Sequence, residues 1–176
     1  MGPLGHAVIS GGLGVGVGAA TGSPEAGATA LGVGVLMDVD HLFDFYNWYV
    51  RGKGKRIYLL FHAWEYSAAG VIALSVAFFH PLLLALVLAH LAHVATDHFH
   101  NRLSPWAYFI SYRIARKFDT AYITPGYNVM YSYKGWHRLL PFSSRLSPWF
   151  RRRIEPWFAM KAEQYLSKDA DSGKSS

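Results

Sequence analysis

Four apolar stretches fill the first hundred residues, and the ionisable side chains among them fall into a few short clusters. Leu4 to Ala20 and Ala26 to Met37 read as two apolar helices, Ile57 to Phe79 as a third and Leu82 to about Asn101 as a fourth. Thr21-Gly22-Ser23-Pro24-Glu25 separates the first pair, with Ser23 placed to cap a helix that has Pro24 at its first position. His80-Pro81 separates the second pair, because proline disfavours helix in the residue before it. His6 and Asp38 each lie sixteen residues from Gly22, and Glu65 and Asp97 each lie sixteen from Pro81. At 1.5 Å of rise per residue both distances come to roughly 24 Å, so two hairpins would bring these groups into one layer. The expected fold class is all-α: a four-helix membrane-embedded core of two helical hairpins, with C-terminal interfacial helices.

Glycine content favours lipid over water for this core. Gly12, Gly14, Gly16 and Gly18 on the first helix and Gly27, Gly32 and Gly34 on the second cost helix propensity in water, whereas small-xxx-small spacings let helices approach closely in a bilayer. The first two spans are near the short limit for a hydrocarbon core of about 30 Å, which leaves a soluble bundle of unusually apolar helices as the alternative. Leu4 to Ala20 lacks the basic start and the cleavage site of a signal peptide. The connection Phe43 to Arg56 ends in Arg51-Gly52-Lys53-Gly54-Lys55-Arg56, and neither tight turn carries Lys or Arg. The positive-inside rule then puts the clustered side and both termini in the cytoplasm.

Charge divides the chain again. Residues 1–100 carry four Lys/Arg against six acids, and residues 101–176 carry thirteen against five. In the second half the bases alternate with aromatics (Trp106, Tyr108, Phe109, Tyr112, Trp149, Phe150), the composition of a segment beside an anionic leaflet; no base-reading motif accompanies it, so no nucleic acid is expected as a partner. Arg102-Leu103-Ser104-Pro105-Trp106 recurs as Arg145-Leu146-Ser147-Pro148-Trp149, and each Ser-Pro reads as the start of a short interfacial helix. The expected organisation is a core over 1–101, a basic aromatic region over 102–166 and a disordered tail over 167–176. The tyrosine-rich 120–140 segment has no assignment.

The clusters carry the chemistry. Nine side chains are candidate metal ligands: His6, Asp38, Asp40, His41, His62, Glu65, His90, His93 and Asp97. Buried at one level they would be costly without a cation. His90, His93 and Asp97 share one helical stripe, with Asn101 continuing it, and His62 and Glu65 are neighbours on theirs. The chain has no cysteine, so thiolate sites are excluded, and mixed imidazole and carboxylate ligands suit Zn first, with Mn or Fe as alternatives. Nine candidates exceed one tetrahedral site, and two ions bridged by a carboxylate use them more fully. His80 and His137 read as core histidines, while His98 and His100 flank the stripe.

Gly5-His6-Ala7-Val8-Ile9, Asp38-Val39-Asp40-His41, a histidine-containing segment before the third span and His93-x-x-x-Asp97 together resemble the bacterial inner-membrane metal-dependent hydrolases of the LexA-regulated YdjM type. That pattern is distantly similar to zinc-dependent phospholipase C, and it covers about residues 4–101. Where such proteins commonly carry a His-Arg-Gly-x-x-His-Ser type segment, this chain has Phe61-His62-Ala63-Trp64-Glu65-Tyr66-Ser67. The resemblance implies metal-assisted hydrolysis in the bacterial inner membrane. A site beside cationic residues at the cytoplasmic membrane face suits a phosphoester or lipid-like substrate, with Asp40 or Glu65 as general base. The rival readings are a membrane di-iron oxygenase or desaturase, and a non-catalytic metal-binding membrane protein.

Overall fold

The computed structural model describes residues 2–76, 79–101, 103–138, 140 and 142–174. Among these the chain is all-helical, with an isolated bridge between Arg56 and Asp119. The first helix, α1 (Pro3–Thr21), ends at Gly22, whose φ of 63° is the left-handed conformation that glycine adopts without steric cost. Ser23 then accepts from Ala26 N–H and starts α2 (Pro24–Leu36), which has Pro24 in its first turn.

Helix α2 does not stop near Met37. It continues through a 3₁₀ turn (Met37–Val39), α3 (Asp40–Phe45) and a π-helical turn (Tyr46–Val50), so most of the expected Phe43 to Arg56 connection is helical. The expected third span is also different. Ile57 to Ala63 is an irregular strap, and α4 covers Trp64–Val76; residues 77 and 78 lie outside the described residues. The last long apolar helix, α5 (Pro81–His100), is started by His80, whose Nδ1 accepts from Leu82 N–H. Among the described residues, three helical stretches are long and apolar enough to cross a membrane: Leu4–Thr21, Pro24–Val50 and Pro81–His100.

Helix α1 packs antiparallel on α2, and α5 packs against α1, α2 and α4. The close approach of the first two rests on Gly14, Gly18 and Gly27, while Gly12 and Gly16 face open space. A Cβ on Gly14 would lie 2.6 Å from the Gly27 carbonyl oxygen, an atom of the backbone that cannot swing away. Gly14→Val should therefore push α1 off α2, with a loss of about 1–3 kcal/mol or more from overpacking. Thermal unfolding in detergent checks this, and Gly12→Val, on the open face, should leave the melting temperature unchanged.

Beyond Asn101 come α6 (Ile110–Ala115), α7 (Thr120–Ile123), a 3₁₀ segment (Val129–Arg138), α8 (Ser143–Arg153) and α9 (Glu155–Lys174). The Ser-Pro signals do not start helices. Ser104-Pro105 lies in a turn ahead of α6, and Pro148 sits inside α8. The tail expected to be disordered is helical as far as Lys174. This C-terminal region also packs on the rest of the chain: Met37, Trp48, Tyr49, Leu59 and Val94 share one core with Tyr108, Ile123, Met130, Tyr133 and Ala162. Tyr49, Trp136 and Phe158 meet edge to face in it, with ring centroids 4.7–5.8 Å apart.

Candidate metal centre

Six of the nine candidate ligands converge. His6 comes from the first turns of α1, Asp38 and His41 from the 3₁₀ turn and α3, His62 from the strap, and His93 and Asp97 from successive turns of α5. Two overlapping sets each offer ligand atoms within 4.8 Å of one another: His6, Asp38, His93 and Asp97, and Asp38, His41, His62 and Asp97. Asp38 and Asp97 belong to both.

The hydrogen bonds around the cluster fix which imidazole nitrogens face inward. His93 Nδ1 lies 2.7 Å from the Gly34 carbonyl, which can only accept, so His93 is protonated there and aims the Nε2 lone pair at the cluster. His62 Nδ1 lies 2.9 Å from Asp40 Oδ2, which likewise leaves Nε2 pointing inward. The two Nε2 atoms face each other at 3.1 Å, with Asp38 Oδ1 3.5 Å and 3.3 Å away and Asp97 Oδ2 3.4 Å and 3.9 Å away. His6 Nε2 is 3.0 Å from Asp97 Oδ1, its ring stacked on His93. His41 Nε2 approaches Asp38 Oδ1 at 3.5 Å. Inward lone pairs beside two carboxylates, with the outer nitrogens held by a carbonyl and a carboxylate, form the donor set that binds a divalent cation. The residues fit a metal ion.

The electrostatics agree with that fit. Burial alone would lower the basicity of His62, yet hydrogen bonds to Asp38, Asp40 and Asp97 push its pKa well above the ordinary histidine value. The carboxylates around His62 thus favour positive charge at this position. Access is from one side: the Asp38 and His41 side chains are 21% and 29% exposed, while those of His62, His93 and Asp97 are at most 2% exposed.

Three candidate ligands stand apart. Glu65 is not brought to the cluster; its carboxylate accepts from Ile110 N–H, Ser111 N–H and the Ser111 hydroxyl, and so caps α6. The count from Pro81 gives its level, since the neighbouring Trp64 meets His98 on α5, but not its direction, which is toward α6. His90 has both nitrogens engaged, Nε2 donating to the Phe61 carbonyl at 2.9 Å and Nδ1 accepting from Ser67 Oγ at 2.7 Å. Asp40 stands behind His62, its Oδ2 also accepting from Phe61 N–H at 2.7 Å. It orients an imidazole and does not face the centre. Asn101 lies off the cluster too, donating to the Tyr108 hydroxyl.

Two residues outside the sequence reading support the site. Asp44, fully buried, accepts from Tyr58 N–H and Leu59 N–H and so ties the strap to α3. Its signal was its spacing, one turn beyond Asp40 on the same helical face. Arg113, also fully buried, leaves three side-chain nitrogens without hydrogen-bond partners, and its strongest electrostatic neighbour is Asp40, whose Oδ1 is unpartnered as well. Nothing in the sequence marks Arg113 apart from its basic neighbours. Among the other histidines, His98 lies 3.4 Å from the Trp64 indole nitrogen, His100 approaches the Thr96 carbonyl and His137 approaches Arg151. No protein-family model, no curated protein and no solved structure matches the chain.

Proposed function

We propose that the protein is an integral membrane, metal-dependent hydrolase acting on a phosphoester or lipid-like substrate at the cytoplasmic membrane face. The observation that carries this reading is the pair of ligand sets sharing Asp38 and Asp97, an arrangement suited to two ions held by common carboxylates. His6, His93, Asp38 and Asp97 would hold one divalent cation and His41, His62, Asp38 and Asp97 the other, with Zn ahead of Mn or Fe for this nitrogen and oxygen set. Such ions supply Lewis acidity to a phosphoryl or acyl oxygen and ready activation of water. The residue order resembling the YdjM type of inner-membrane hydrolase supports the same reaction class.

The chain's own groups divide the work. Asp40 and Glu65, the expected general bases, are both engaged away from the opening, Asp40 on His62 and Phe61 N–H and Glu65 on α6. Asp40 and the Gly34 carbonyl hold His62 and His93 in the tautomer that turns Nε2 inward. Membrane placement is supported by outward-facing Leu4, Val8, Val15, Leu36, Ile72 and Val76, each more than half exposed. Four helices, α1, α2, α4 and α5, then form the embedded core, with the basic 51–56 connection and both termini on the cytoplasmic side.

Detergent-purified protein, stripped with chelator and reloaded, tests the activity. Turnover of phosphomonoesters or phosphodiesters should appear with Zn, Mn or Fe and vanish on chelation. Metal binding without turnover of any phosphoester or carboxylic ester would sink the enzyme assignment, and iron-dependent oxygen consumption would favour the oxygenase alternative.

A further inference from the structure

A cavity of about 620 Å³ opens between the 51–56 connection and α9, where the apolar Pro24–Val50 helix ends. Its wall carries six cationic side chains, Arg51, Lys53, Lys55 and Arg56 from the connection and Lys161 and Lys168 from α9. The acid in the wall is Asp169, which pairs with Lys55. Trp48, Tyr49 and Tyr165 supply aromatic surface. None of the six convergent metal ligands lines it.

The connection is held in place. Lys53 N–H donates to the Asn47 carbonyl at 2.8 Å, and the Trp48 indole N–H donates to the Arg56 carbonyl at 2.7 Å. Gly54 is buried so tightly that a Cβ would lie 2.7 Å from Met130 Sδ and 3.1 Å from a Tyr165 ring carbon. The backbone between these anchors cannot drift outward, so the cations remain gathered on one concave wall. A concave surface lined by one sign of charge focuses potential on the space it encloses.

We propose that this cavity binds a phosphate-bearing anion. Arg and Lys donors satisfy phosphate oxygens with charge-assisted hydrogen bonds, and the volume is that of a small-ligand site. The end of a candidate membrane span is also the level at which lipid phosphates lie. The group recognised is the phosphate itself, carried by a free phosphomonoester or by the headgroup of an anionic lipid. The site stands whether or not the metal cluster is hydrolytic.

Calorimetric titration of the full chain in detergent, metal-free to silence the other cluster, tests this with glycerol 3-phosphate, dioctanoyl phosphatidic acid and dioctanoyl phosphatidylcholine. Binding of both phosphomonoesters identifies the phosphate group as the ligand, and binding of phosphatidic acid alone identifies the lipid. In either case Arg51→Gln/Lys161→Gln should weaken it by about tenfold or more, since two charged hydrogen-bond donors are lost. Lys53→Gln/Lys168→Gln provides a second variant built on exposed side chains. Unchanged metal content on reloading shows that either variant is folded. No binding of either phosphomonoester, equal binding of phosphatidylcholine, or full affinity in both variants would overturn the proposal.

Discussion

Asp97→Ala should empty both halves of the metal centre at once. Its Oδ1 meets His6 and its Oδ2 faces His62 and His93, so its loss removes a shared carboxylate from both ligand sets. His6→Ala and His41→Ala each touch one set, and each should cost one metal equivalent while leaving the other. Hydrolytic activity of Asp97→Ala should fall by at least about 100-fold, the upper end of what even an outlying partner of a ligand costs. Elemental analysis of the three variants checks the pattern. Full metal occupancy in Asp97→Ala would remove this residue from the centre.

Asp44→Ala should be the most destabilising single change near the site, although Asp44 touches no candidate ligand directly. Its two oxygens accept from Tyr58 and Leu59 N–H groups at 2.9 Å and 3.1 Å. Removing them strands two N–H groups at about 1–3 kcal/mol each, or about 2–6 kcal/mol in all. Leu59 already holds a left-handed φ of 47°, a conformation that a non-glycine residue keeps only while its surroundings hold it. Once it loosens, His62 leaves the cluster while His6 and His93, on α1 and α5, remain. The expected result is a lower melting temperature in detergent together with loss of one metal equivalent. Asp44→Asn keeps one acceptor oxygen and should lie between. A variant that melts like the unmodified protein would show that the strap does not depend on Asp44.

The parts of the site that lie on long helices were legible in the sequence. His6, Asp38 and Asp97 could be counted from Gly22 and Pro81 because the helices between keep a constant rise, and these three do meet. The direction of Glu65 could not, since it turns on Ile110 and Ser111 arriving beside it. Nor could the strap, since Ile57 to Phe61 is apolar enough to read as helix and is held instead by Asp40 and Asp44 accepting from its N–H groups and by Ile57 N–H donating to the Phe118 carbonyl. The same contacts bring His62 inward, so its role survives an incorrect helix. His90 shares the stripe of His93 and Asp97, but Ser67 and the Phe61 carbonyl occupy both its nitrogens, a matter of which neighbours arrive and not of spacing. The aromatic, basic C-terminal half was legible only in part. Tyr133, Trp136 and Phe158 pack on Tyr49 while Trp106, Trp149 and Trp157 stay exposed, and such pairings between distant segments leave no periodic trace.

X-ray absorption at the metal edge of the purified, reloaded protein tests the central claim most directly. A two-ion centre held by four histidines and two shared aspartates predicts two equivalents of metal in a nitrogen and oxygen shell near about 2.0–2.2 Å, with a metal–metal vector at about 3.5–4 Å that disappears in Asp97→Ala. Protein that takes up no metal, or whose absorption spectrum is the same in Asp97→Ala, would contradict it.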